Sequence, residues 1–251
     1  MQITTMGIVL REREHDDDRI LTILTADRGV ITAYARGAKK LRGRLLAGTE
    51  LLCCSRFVLF QYRDRYQVDS AETEQNFFGL RSDVEKLSLA VYLAQLCAQL
   101  APAEEEAGEF LRLMLNSLYL LEKDKRPQQL VKAVFELRLL AMAGYMPDLV
   151  GCKVCGCFES ETIYFLPLTG DLMCGDCLGD APLEEMVRLR LSPGVLAAMR
   201  HILYAESGKV FNFTLSGEEL RYLGDICEYY TIVQLDTRLS SLDFYKSLLL
   251  E

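Results

Sequence analysis

Through the first eighty residues apolar and polar positions alternate, and beyond Leu80 the apolar residues recur every three to four positions. The first period is that of a half-buried strand and the second that of an amphipathic helix. Short strands are predicted over residues 3–11, 19–25, 30–36, 51–62 and 66–72. In the second of these Ile20, Thr22 and Leu24 share one face and Leu21 and Ile23 the other. Asp27-Arg28-Gly29 and Arg63-Asp64 read as turns, with Gly29 free to take a positive φ, and residues 37–48 form a long loop. Five short antiparallel strands with one irregular loop suit an OB-type barrel, with a generic small β-barrel as the alternative.

The change at Leu80 is abrupt. Ser82-Asp83-Val84-Glu85 has the form of a capping box, in which the serine oxygen accepts an orphan N–H and the glutamate returns to the serine's own N–H. Val84, Leu87, Val91, Leu93 and Leu96 carry the apolar stripe of a helix that ends at Pro102. A second helix is predicted over residues 103–122 with an acidic first turn, a third from Pro127 to Ala143 closed by Gly144. Two more open at Ser192-Pro193 and at a second box, Ser216-Gly217-Glu218-Glu219. The fold class is α+β and multidomain. An OB-type barrel occupies residues 1–80, followed by an all-helical domain over residues 81–251 that carries an insert at about 150–180.

That insert holds the strongest chemical signal. Cys152, Cys155, Cys174 and Cys177 have the spacing C-x2-C-x18-C-x2-C. Each pair can turn two sulfurs toward one point, and two pairs close a tetrahedral site for one structural zinc ion per chain. Two redox or disulfide pairs are the alternative. The segment has too little apolar sequence to fold without the metal, and it is expected to project from the helical domain. Cys157 stands two residues past Cys155 and competes in principle for the ion. Cys53 and Cys54 are adjacent in a strand, so they face opposite ways. Cys97 and Cys227 read as buried thiols on helices.

Charge alters the picture locally. The chain of 251 residues has a net charge of −8, yet residues 28–65 hold 9 basic against 2 acidic residues. Screening confines each charge's influence to roughly 8–10 Å, so such a stretch can hold a polyanion on an acidic protein. Arg36, Lys39, Lys40, Arg42 and Arg44 crowd the loop, with Arg56, Arg63 and Arg65 nearby. Tyr34, Phe57, Phe60, Tyr62 and Tyr66 lie on the flanking strands. Cations beside aromatic faces are what sequence-tolerant single-strand binding requires. A solvated basic loop over core aromatics is the plainer alternative. No apolar run is long enough to span a bilayer and the N-terminus lacks a signal layout, so a cytoplasmic protein is expected.

Catalytic chemistry finds little support. His15 and His201 have no motif partners, no phosphate-binding loop occurs, and the His-x-Glu of a zinc deaminase is absent. Arg126 precedes the third helix, and Lys132 and Arg138 lie within it among apolar positions. They could rim a groove for an acidic, hydrophobic peptide tail, or be ordinary charges on an amphipathic helix.

The run from Arg19 to Lys40, with its Ala-Arg-Gly-Ala-Lys-Lys ending, resembles the N-terminal signature of the RecO family of bacterial recombination mediators. The run from Phe135 to Leu149 leading into Cys152-Lys-Val-Cys155-Gly156 resembles that family's helix-to-zinc junction. The resemblance implies a non-enzymatic DNA-repair protein with an OB domain, a helical domain and a zinc site. It also implies binding of single- and double-stranded DNA, strand annealing, capture of the C-terminal tail of single-strand-binding protein, and action with RecR to load RecA. Arg36, Lys39 and Lys40 sit on the family motif, whereas Arg42, Arg44, Arg56, Arg63 and Arg65 extend it by charge and position. Nucleoid association during repair would follow. Two departures stand out. The first hairpin reads Glu14-His15-Asp16-Asp17-Asp18, which brings carboxylates to the DNA-binding end, and Thr169-Gly170-Asp171 replaces a Gly-Gly. A zinc-stabilised protein–protein scaffold, whose barrel does not bind DNA by itself, is the competing reading.

Overall fold

The alternating segment forms β1 (Gln2–His15), β2 (Asp18–Thr25), β3 (Gly29–Ala35), β4 (Cys54–Tyr62) and β5 (Arg65–Gln75). These close into a barrel in the order β1-β2-β3-β5-β4, the OB arrangement. The pleat sorts the side chains: β3 buries Ile31, Ala33 and Ala35 and turns Thr32 and Tyr34 outward. Val9, Leu21, Ile23, Ile31, Phe57, Leu59 and Val68 fill the interior, each such burial stabilising by about 1.5–3 kcal/mol. All pairings are antiparallel except the closing seam, where β3 and β5 run parallel through Ala33↔Tyr66 and Tyr34↔Gln67. A bulge between Val9 and Arg11 re-registers β1 against β2, and β1 runs on to His15, past the predicted end at residue 11.

A 3₁₀ turn at Phe78–Ser82 leads into α1 (Val84–Leu100) and α2 (Gly108–Glu122). The cap of α1 is Asp83, whose carboxylate accepts from the Lys86 N–H at 3.0 Å. The predicted cap, Ser82, instead donates to the Gly79 carbonyl. Asp83 holds the extended backbone a cap needs, φ −134° and ψ 112°, while Ser82 is still inside the 3₁₀ turn. Asp83→Ala is therefore expected to lower stability by about 1 kcal/mol, and Ser82→Ala by much less, in urea midpoints.

Residues 103–107 are not helical as predicted. Val30 N–H donates to Pro102 O, Glu104 N–H to Arg28 O and Ala107 N–H to Ala26 O, at 2.8, 2.9 and 2.8 Å. The segment is a strap along the β2–β3 turn, and Glu104 accepts from the Tyr66 hydroxyl at 2.6 Å. Gly29 is required there, because its φ is +57° and a Cβ would lie 2.0 Å from the Pro102 oxygen.

After α3 (Gln128–Met142) come β6 (Asp148–Cys152), β7 (Ile163–Leu166), β8 (Asp171–Cys174), the short α4 (Gly175–Leu178) and β9 (Leu189–Leu191). Then α5 (Pro193–Tyr204), α6 (Gly217–Leu235) and α7 (Ser240–Leu248) complete the chain. Ser192 and Ser216 cap α5 and α6 as predicted, accepting from Val195 and Glu219 N–H, each at 3.2 Å. The four short strands form a sheet in the order β6-β8-β7-β9.

This computed structural model describes residues 1–40, 43, 45–63, 65–179 and 187–249. Two compact units emerge: Met1–Lys125 with Ser240–Glu251, and Arg126–Leu239. Among the described residues no helix is long and apolar enough to cross a membrane.

Candidate nucleic-acid interface and metal centre

One side of the barrel carries a cleft of about 520 Å³ lined by His15, Ile20, Tyr34, Arg36, Phe60, Tyr62, Arg65 and Gln67, among others. The pleat explains which aromatics face it. Tyr34, Phe60 and Tyr62 project outward and are 41%, 46% and 71% exposed, whereas Phe57 lies in the core and Tyr66, though buried, also lines the cleft. Arg65 lies opposite Tyr62 in the β4–β5 register, and Arg36 follows the last residue of β3. Arg63 places its guanidinium 5.4 Å from the centre of the Tyr62 ring, a cation–π arrangement that holds both at the rim.

The basic loop is anchored at both ends. The Gly37 N–H donates to Asp18 Oδ1 at 2.7 Å, the Lys39 N–H donates to Asp17 O at 3.0 Å, and Ala38 is buried. Arg19 is itself buried. It donates to Leu46 O and Thr49 Oγ1, both at 3.0 Å, and lies 3.5 Å from Glu12. The acidic hairpin thus braces the loop as well as placing Asp18 in the cleft lining.

Lys39 pairs with Glu14 at 2.8 Å, and its hydrogen bond holds that carboxyl below the usual range. Lys40 is exposed on the loop. Arg56 lies on β4 and pairs with Glu74 at 3.0 Å. Arg42 and Arg44 lie outside the described residues. Of the remaining cations expected to bind DNA, Arg36 and Arg65 stand in the cleft and Arg63 beside it. Sequence reasoning missed Arg11 and Arg13, which are exposed on β1. Their signal was the alternation Arg-Glu-Arg-Glu-His, which continues the strand beyond residue 11.

In the second unit the Cys152, Cys155, Cys174 and Cys177 sulfurs all lie within 4.8 Å of one another, with Cys155 and Cys174 at 3.8 Å. A tetrahedron with bonds of about 2.3 Å has edges of about 3.8 Å, so the four sulfurs could hold a metal ion. The chain builds this locally. Gly156 takes φ +73° and its N–H closes onto Cys152 O at 2.8 Å, turning the first pair inward. Gly175 N–H donates to Thr162 O at 2.9 Å, so tightly that a Cβ would meet Thr162 Oγ1 at 2.1 Å. Burial raises the Cys152 thiol, but backbone N–H groups of Cys155, Cys174 and Val154 overcome this and bring it down to about 6. N–H groups aimed at sulfur favour the thiolate that a metal needs. Cys157 packs beside the group rather than within it.

The module is also tied to its helices. Arg200 of α5 stacks 3.8 Å from the Phe158 ring centre and donates to Leu149 O at 2.7 Å and Val150 O at 3.0 Å. Phe165 meets Tyr230 of α6 edge-on at 5.2 Å.

Burial takes Lys132 out of the basic rim expected around the third helix. Lys132 is 6% exposed and pairs with Glu136 and Glu228, both at 2.8 Å. Arg138 donates to Ile202 O at 3.1 Å and to Leu203 O, at the end of α5. Arg126, just before α3, is half-buried, with its guanidinium 3.4 Å from Asn212 Oδ1. Hydrophobic spacing marked this helix as amphipathic, but Lys132 and Arg138 find partners in α6 and α5.

A closed barrel with a cationic, aromatic cleft, preceding helices and a four-cysteine group that could hold a metal ion, defines a DNA-repair class of two-module proteins when set beside known chains. The family model described as "Recombination protein O N terminal" matches residues 1–77 and the one described as "Recombination protein O C terminal" matches residues 81–243. The chain belongs to the RecO family. It is 36% identical over 248 residues to the DNA repair protein RecO of Acetivibrio thermocellus, covering 98% of this chain and 97% of that one. Against the protein of the same name from Symbiobacterium thermophilum it is 33% identical over 247 residues, covering 96% of each.

Proposed function

We propose that this protein is a non-enzymatic DNA-repair mediator whose barrel domain, residues 1–80, binds DNA through the cleft. The observation that carries this reading is one cleft on the barrel lined by three outward aromatics, Tyr34, Phe60 and Tyr62, together with Arg36 and Arg65. Arginine neutralises phosphate and exposed rings stack bases, which gives affinity without base reading. Such binding serves annealing, because two charge-neutralised strands can be held together until they pair. Within the helical domain, residues 81–251, a single zinc ion on Cys152, Cys155, Cys174 and Cys177 is structural, since four thiolates leave no position for a substrate. As in the family it resembles, the protein acts with RecR and the C-terminal tail of single-strand-binding protein to load RecA, in the cytoplasm and at the nucleoid during repair. Arg126 and Arg138, both half-buried, are the cations near the third helix that remain for the tail, Lys132 being buried.

Fluorescence anisotropy of labelled single-stranded DNA across a salt series tests this. Wild type should bind with a steep negative salt slope, Arg36→Glu/Arg65→Glu should lose that binding, and Phe60→Ala should weaken it by about 1–3 kcal/mol. Absence of binding at low salt in wild type would favour the scaffold reading.

A further inference from the structure

We infer that the outward face of β1 continues the cleft, so that Arg11 and Arg13 hold the phosphates of a single nucleic-acid strand whose bases lie on Tyr34, Phe60 and Tyr62. The inference rests on the reading of the barrel as the DNA interface and specifies which strand state and which path that interface takes.

The register supplies the argument. Arg13 on β1 lies opposite Ile20 on β2, Ile20 opposite Tyr34 on β3, Tyr34 beside Gln67 on β5, and Gln67 opposite Phe60 on β4. Paired residues in adjacent strands project to the same face. Four of these five line the cleft, and Arg13 is the next step of the same row. With strands about 4.8 Å apart the row spans about 19 Å. Arg11 stands two residues along on the same face, about 7 Å away, opposite Thr22, which in turn faces Thr32.

The charges on β1 are sorted by the pleat. Glu12 is directed to Arg19 and Glu14 to Lys39, so both carboxylates are engaged on the loop side. Arg11 and Arg13 are exposed and have no ion pair among the described residues. Beyond His15 the hairpin carries Asp16 and Asp17, while Asp18 is held by the Gly37 N–H. The basic lane is therefore bounded at the hairpin and runs the other way, from the aromatics across β2 toward Arg11. Stacking on three separate rings needs bases whose faces are free, which a duplex does not offer.

The test is the salt dependence of binding to oligothymidine of about 16 nucleotides, the upper end of what one such barrel covers. Each phosphate contact to a single strand contributes about 0.7 to the slope of log affinity against log salt. Arg11→Gln/Arg13→Gln should therefore reduce the slope by about 1.4, while Arg112→Gln on α2 leaves it unchanged. An unchanged slope in the double variant, with wild type binding normally, would overturn the path across β1 and leave the interface reading standing. Equal losses on a duplex of the same length would overturn the single-strand assignment. Failure of wild type to bind would overturn the interface reading and the inference with it.

Discussion

Replacement of Cys174 by serine is expected to abolish metal retention and to free the backbone of residues 150–158 and 174–179, while the barrel stays folded. The reason lies in how little else holds this module. Its own buried cluster is Cys152, Leu166, Met173, Cys174 and Leu178, two of which belong to the four-cysteine group that could hold a metal ion. Structural zinc contributes an apparent 10–16 kcal/mol, roughly, to modules of this kind. Loosening should be uneven, because Phe165 packs on Tyr230 and Arg200 grips the carbonyls of Leu149 and Val150. Amide hydrogen exchange should therefore show the two cysteine turns losing protection first and β7 last. Acid should reproduce the effect, since protonation of thiolates releases the ion as pH falls. A serine variant that keeps one equivalent of metal, or exchange that is unchanged at both turns, would count against the four-thiolate site.

The second large effect is expected at Lys132. Burial alone would discharge this lysine, but the carboxylates of Glu136 and Glu228 outweigh it and hold its pKa above the ordinary lysine value. Glu136 is 0% exposed. Lys132→Met would remove the cation paired with that buried carboxylate, at a cost of about 3–5 kcal/mol in urea unfolding. Glu228 contributes less to the penalty because 15% of its side chain reaches solvent. The double variant Lys132→Met/Glu136→Leu should recover most of the loss, since apolar replacement of a whole buried pair is often close to neutral. If the double variant is as unstable as the single one, the loss comes from packing and the electrostatic account fails.

How far these features could be read in the chain depended on the range of the interaction that sets them. The barrel strands and the caps at Ser192 and Ser216 are set by neighbouring residues, and their period and spacing were legible. So was the cysteine group, because C-x2-C turns are local. The cap at Asp83 was off by one because the 3₁₀ turn at Phe78–Ser82 absorbs the serine. The strap over residues 103–107 was invisible because its N–H groups bond to Ala26 and Arg28, far back in the sequence. Lys132 looked like a surface charge, as its Glu228 partner lies 96 residues away. Nor was α7 foreseen: only Leu242 and Tyr245 mark its buried face, too few for periodicity to register. The cleft was half legible. Aromatics and arginines were visible, but which rings face out required the register that joins β3 to β5.

That register has a thermodynamic side. A closed barrel is a ring, and here the ring is fastened between β3 and β5 through two paired positions, while its other joints run through seven or more. The thinnest link lies beneath Tyr34 and Gln67, the floor of the cleft. A ligand that binds only the closed ring holds that link shut by mass action, by about 2.7 kcal/mol at a hundredfold excess over its dissociation constant. For such a ligand, occupancy and integrity of the barrel are one equilibrium, and the barrel is hardest to open when the cleft is filled.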